Sequence, residues 1–128
     1  MDQGWHKAES FTESVKHAWR GLLYAIKHEK NFMIQVVFLG GAIFAAALLR
    51  LSIAEFLVVI LISAALLAFE MVNTALEMLA DVVQPQYHEK IGLLKDVTAG
   101  AVLVMAVAAI VIGLLIYGAA AVELATSI

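Results

Sequence analysis

The sequence predicts an all-α integral membrane protein: an N-terminal amphipathic surface helix followed by three transmembrane helices. Three observations carry that prediction. Of the 128 residues, 63% are hydrophobic and only 15% are Asp, Glu, Lys or Arg, against roughly 25% charged residues in an ordinary soluble domain. The apolar residues gather into three long runs, each close to or above the length needed to cross a bilayer. The charges gather at the ends of those runs. One membrane domain spanning 1–128 follows, and three spans are few for shielding a polar site from lipid, so self-association is expected.

Composition also removes several function classes. There is no cysteine, which rules out a disulfide framework and thiolate chemistry. Eight Lys and Arg against eleven Asp and Glu give a formal charge of -3. No basic stripe of the kind that tracks nucleic acid is available.

Residues 1–9 are polar and expected to be frayed. The first thirty residues lack the apolar core of a cleaved signal. Over 10–30, Phe11, Val15, Trp19, Leu22, Leu23 and Ile26 recur at spacings of one, three or four, and Glu13, Lys16, His17, Arg20 and Lys27 fall mostly opposite. A basic amphipathic helix carrying Trp19 and Tyr24 suits the membrane interface. The first span is placed at 32–49, with Gln35 its one strongly polar interruption. Gly40, Gly41 and the alanines at 45–47 suggest close helix packing. Residues 50–52 make a minimal turn into the second span, 53–80. Residues 81–96, with Pro85, read as a polar loop, and 97–122 is the third span, in which Gly100, Ala101, Ala108 and Gly113 again suggest a packed face.

Orientation follows from the basic residues. Lys7, Lys16, Arg20, Lys27 and Lys30 precede the first span, Lys90 and Lys95 lie between the second and third, and Arg50 stands alone on the other side. The excess of Lys and Arg places the N-terminus and 81–96 in the cytoplasm and the C-terminus outside, in a multi-pass protein of the plasma (inner) membrane.

Glu70, Asn73, Glu77 and Asp81 are the residues that an anchor does not need. At 100° per residue, 70, 77 and 81 fall within about 40° of one another and 73 about 60° to one side, a polar stripe roughly 16 Å long on one helix face. A carboxylate facing lipid costs on the order of 2.5–3.5 kcal/mol at helix centre. These acids therefore require protonation, or cations and hydrogen-bond donors. Glu29 and Gln35 at the start of the first span, and Lys95 and Asp96 at the start of the third, share the inner depth of the stripe. Negative charge is in excess, and oxygen-only ligands favour magnesium or calcium. Bland readings stand beside this one: Asn73 as a packing hydrogen bond, Asp81 as a solvated acid, Lys95 as an interfacial anchor and Asp96 as a helix cap. Tyr87, His88 and the remaining histidines show no metal-binding spacing.

Glu70-Met71-Val72-Asn73-Thr74-Ala75-Leu76-Glu77-Met78-Leu79-Ala80-Asp81 closely resembles the motif of the small prokaryotic diacylglycerol kinase and undecaprenol kinase family. A second matching stretch is Tyr87-His88 followed by Leu94-Lys95-Asp96-Val97-Thr98-Ala99-Gly100-Ala101-Val102, and a third is Glu29-Lys30-Asn31-Phe32, where His28 replaces the family's asparagine. The resemblance covers roughly 11–118. It implies a homotrimer with composite active sites that transfers the γ-phosphoryl of ATP to the hydroxyl of a membrane lipid alcohol. It further implies Glu70 as general base, Glu29 and Glu77 as magnesium ligands, Asn73 and Asp81 at the nucleotide region, and Lys95 and Asp96 on the nucleotide. No Gly-rich phosphate loop is present, so ATP rests on the resemblance alone. Residues 9–16, Glu-Ser-Phe-Thr-Glu-Ser-Val-Lys, lack the early basic residues of one branch. The 81–88 and 99–102 stretches resemble the Gram-positive branch, which implies undecaprenol as the preferred acceptor, with diacylglycerol possible. The competing class is a small transporter or ion-conducting oligomer using Glu70, Asn73 and Glu77. A stripe confined to the inner half of the span favours an enzyme over a conduction path.

Overall fold

The computed structural model describes residues 10–126. The expectations for 1–9, including Lys7 and Glu9, fall outside the described residues. Four helices follow in order: α1 Phe11–His28, α2 Lys30–Leu48, α3 Ile53–Val83 and α4 Glu89–Thr126. The last three are long and apolar enough to cross a membrane.

Each helix end has a local cause. The Ser10 hydroxyl accepts from the Glu13 amide at 3.3 Å and starts α1. Glu13 in its first turn and Lys27 and His28 in its last complement the helix dipole. Tyr24 stacks on His28 at a centroid distance of 4.6 Å. At Glu29 the backbone turns extended (φ -102°, ψ 105°), so α1 breaks from α2 at a single residue. The N-terminal half of the apolar stripe, Phe11, Val15 and Trp19, is exposed, while Ala25 is buried and Leu22, Leu23 and Ile26 are half-buried. Only the C-terminal half of α1 packs on the bundle, and the rest offers its apolar face to the surroundings, as an interfacial helix does.

α2 ends in a Schellman turn. The Leu51 amide bonds back to Ala46 at 3.0 Å and the Arg50 amide to Ala47 at 3.3 Å. Arg50 takes the left-handed conformation, φ 55°, that such a turn demands and that glycine adopts with least strain. A capping box then opens α3. The Ser52 hydroxyl accepts from the Glu55 amide, and the Glu55 carboxylate accepts from the Ser52 amide at 2.8 Å.

The inner connection is shorter than the sequence predicts. The expected polar loop at 81–96 shrinks to 84–88, because α3 continues to Val83 and α4 starts at Glu89. Hydropathy marks where a chain leaves lipid, and nothing in Asp81–Val83 or Glu89–Asp96 opposes a helix that extends into water. Pro85 stops α3 at Val83 by disfavouring helix in the residue before it. α4 likewise outlasts its apolar run to reach Thr126. At 1.5 Å per residue α3 and α4 are roughly 46 and 57 Å long, longer than a hydrocarbon core of about 30 Å.

α3 is the central element, packed against both α4 and α2, while α1 packs mainly against α2. The buried apolar residues are few: Ala25, Phe32, Ala46, Val59 and Ala80. Large side chains such as Phe38, Phe44, Leu61 and Leu114 are exposed, which is stable in lipid and not in water. A Cβ added at Gly40, Gly41, Gly100 or Gly113 meets nothing within 4 Å. The close packing expected from these glycines is therefore absent within one chain, although Ala46 is buried as expected.

Relief of the left-handed strain at residue 50 is measurable. Arg50→Gly is expected to raise stability by about 1 kcal/mol, while Arg50→Val lowers it. Reversible unfolding in detergent micelles reads both changes.

Candidate active site

The site is assembled along one face of α3 from pairs, each acid receiving a donor. Glu70 is buried, with 5% of its surface exposed. Gln35 of α2 donates through Nε2 to its Oε2 at 3.3 Å. One turn further in, Asn73 Nδ2 donates to Glu77 Oε1 at 2.9 Å, along the same helix. At the inner end Lys95 of α4 forms a salt bridge with Asp81. That pair is substantially exposed and worth at most about 1 kcal/mol. Donors thus arrive from α2, from α3 itself and from α4, which is how one apolar bundle tolerates three acids in succession.

Two buried polar atoms remain without partners among the described residues: Gln35 Oε1 and Asn73 Oδ1. A buried amide oxygen left unpaired costs on the order of 1–3 kcal/mol. Both belong to side chains already fixed by bonds to the acids, so both are aimed acceptors beside carboxylates. Such atoms suit a hydroxyl donor or a cation that is not part of this chain.

The structure does not gather every predicted residue into one cluster. Glu29 is half-buried at the α1–α2 break, and its carboxylate makes no capping bond. Asp96 is exposed and lines a surface depression with Tyr87, Glu89, Lys90, Gly92 and Leu93, apart from Lys95's bond to Asp81. Among the described residues no group of three or more His, Asp and Glu is placed to hold a metal. The donor set still suits magnesium, which commonly takes one or two carboxylates and fills its shell with water and substrate phosphate. Glu77 is one such carboxylate, and Asn73 Oδ1 is an uncommitted oxygen beside it.

Sequence reasoning placed Gln35 at the depth of the stripe, among the groups available to meet the acids, without pairing it with Glu70 in particular. Its signal was plain: a single amide in an apolar run, at the depth of an intramembrane acid. Thr74 is buried as well, and apart from its place in the motif nothing in the sequence marked it.

Acids held by donors along one face of a membrane-spanning helix mark this face as a candidate site in a multi-pass membrane protein. Comparison with known proteins supplies the family. The model for the prokaryotic diacylglycerol kinase family matches residues 16–117. A Synechocystis protein named diacylglycerol kinase is 38% identical over 110 residues, covering 85% of this chain and 63% of that protein. The undecaprenol kinase of Bacillus subtilis is 34% identical over 119 residues, covering 91% of this chain and 97% of that protein. The chain belongs to the prokaryotic diacylglycerol kinase family. It spans less than two thirds of the Synechocystis relative and nearly all of the Bacillus one.

The Gln35–Glu70 bond is testable by stability alone. Gln35→Leu is expected to cost about 1–3 kcal/mol by stripping a buried acid of its donor. Glu70→Leu added to it should cost less than the two single changes together. A thermal unfolding cycle in micelles checks this, and strict additivity would count against the bond.

Proposed function

We propose that this chain is an ATP-dependent lipid kinase that transfers the γ-phosphoryl group to the hydroxyl of a membrane lipid alcohol, with undecaprenol the preferred acceptor. The observation that carries this reading is Glu70: an acid buried in a membrane-spanning helix and bonded to Gln35, which itself lines an apolar groove between the spans. Family membership supports the kinase chemistry.

Phosphoryl transfer asks for alignment and charge neutralisation more than for covalent chemistry from the protein. Glu29 and Glu77 would hold magnesium, with Asn73 fixing the Glu77 carboxylate by the 2.9 Å bond. When bound, the ion supplies electrostatic stabilisation to the phosphate oxygens. Asp81, Lys95 and Asp96 sit on the inner side, where a water-soluble nucleotide arrives, and Asn73 lies between them and Glu70. Glu70, two turns deeper than Glu77, is placed to take the proton from the acceptor hydroxyl. The same reading places the N-terminus and the inner α3–α4 connection in the cytoplasm and the C-terminus outside. A homotrimer with composite sites is supported by the open glycine faces of α2 and α4 and by an acidic set that one chain does not close. Conduction is disfavoured: above Gln35 and Glu70 the interhelical space is almost wholly apolar.

The acceptor preference rests on that lining. Diacylglycerol brings two ester groups just below its hydroxyl, and buried esters call for donors. Among the residues facing the space between the spans beyond Gln35, only Ser63 and Tyr117 carry hydroxyls, and Tyr117 is already engaged with Ala42. The Bacillus undecaprenol kinase also matches almost end to end.

Two outcomes follow. Glu77→Gln should lower magnesium-dependent transfer of labelled phosphate by about a hundredfold or more, since an amide does not replace an anionic ligand; near-normal activity and magnesium dependence would remove Glu77 from the metal site. Assayed side by side in one detergent at matched surface concentration, undecaprenol should turn over faster than diacylglycerol. The reverse order would overturn the preference.

A further inference from the structure

Residues of α2, α3 and α4 together line a groove of about 360 Å³ within the membrane-spanning segments, in the size range of about 300–1,000 Å³ that small ligands occupy. Gln35 stands at its inner end and Tyr117 at its outer end. The Tyr117 hydroxyl donates to the Ala42 carbonyl at 2.8 Å, so the ring bridges from α4 to α2 and closes the space between them. Gly113, one turn before Tyr117, also lines the groove, and a Cβ there meets nothing within 4 Å.

We propose that this groove seats the first part of the acceptor's hydrocarbon chain, and that Tyr117 is a specificity-determining residue that sets how deep the chain runs before it turns out into the bilayer. The inference rests on the lipid kinase reading and deepens it. Gln35 is the reason to choose a lipid alcohol over a helix from a second copy. Its Nε2 is spent on Glu70, while its Oε1 is buried without a partner. A packed helix offers no spare backbone N–H, since its own carbonyls take them all. A lipid hydroxyl at the groove's inner end donates its one proton to that oxygen as it enters, with the Glu70 carboxylate that Gln35 holds beside it, and places its chain along the apolar walls. Because lipid is as apolar as the groove, burial itself gains little. The groove therefore acts on the chain's path and on the placement of the hydroxyl. From Gln35 to Ala42 on α2 the path is roughly 10 Å, and along α4 from Ala106 to Tyr117 roughly 16 Å.

The test uses the full chain and short polyprenols of increasing isoprene number. In the wild type, kcat/KM should rise with chain length until the chain spans the groove, then level off. Tyr117→Ala should move that break to longer chains. Gly113→Leu should move it to shorter ones, with about a tenfold loss for chains that reach residue 113 and little change for the shortest. Tyr117→Phe keeps the ring and should keep the wild-type profile. Profiles that superimpose for all variants overturn the proposal, as does an equal loss at every length. So does a change of oligomeric size in Gly113→Leu, which would make the groove a packing face between copies. A polyprenol with a diazirine on the second isoprene unit gives a readout independent of turnover. Labelling of α4 around Gly113, competed by unmodified undecaprenol, supports the groove even in protein that transfers no phosphate, a result that would count only against the kinase reading. Labelling spread over the lipid-facing surface overturns the groove whatever the activity.

Discussion

A carboxylic acid buried among apolar helices must be given a donor, and the helices of this protein are arranged so that Glu70 receives one. The Gln35–Glu70 bond ties α2 to α3 through polar side chains within the membrane-spanning segments. An error of one residue in either helix would rotate a partner by about 100°, leaving an acid unpaired and an amide wasted. One interaction thus fixes rotation and depth together, which apolar contact between similar residues does only loosely in lipid. The Asn73–Glu77 bond then repeats the solution one turn inward, and Lys95 closes the inner end from α4.

Much of this was legible before any coordinates. The three apolar runs and the 100° arithmetic placed the helices and the acid stripe, because in lipid both backbone satisfaction and hydropathy point to helix. The inner connection was misjudged for a physical reason. Polarity reports the edge of the bilayer, and Glu89–Asp96 is polar and helical at once. The glycines left their neighbour open: a small residue signals close approach without saying whether that neighbour belongs to the same chain. Gln35 shows what pattern reading misses. Its position was visible, but the pairing with Glu70 depends on how α2 rotates, which α2's near-uniform apolarity does not encode.

The orphaned oxygens Gln35 Oε1 and Asn73 Oδ1 connect the fold to chemistry. A protein shaped only for stability would pair or replace them. Here they flank Glu70 and Glu77 and divide the stripe into two zones. The outer zone, beyond Glu70, is lined by apolar side chains apart from Gln35, Ser63 and Tyr117. The inner zone holds Asn73, Glu77, Asp81 and Lys95, and on the proposed reading it faces the side from which a charged nucleotide comes. On that reading, phosphoryl transfer between a soluble donor and a lipid alcohol draws on such an arrangement, since the reactants never share a solvent.

The division of labour between those zones is the central claim, and Glu70→Gln tests it most directly. Titration of the purified variant with Mg-ATP, beside an assay of phosphate transfer to the lipid alcohol, separates binding from turnover. A base at position 70 predicts nucleotide affinity close to wild type with transfer lowered by about 10²–10⁴. A comparable loss of nucleotide affinity would make Glu70 a ligand or a structural residue and would contradict the claim.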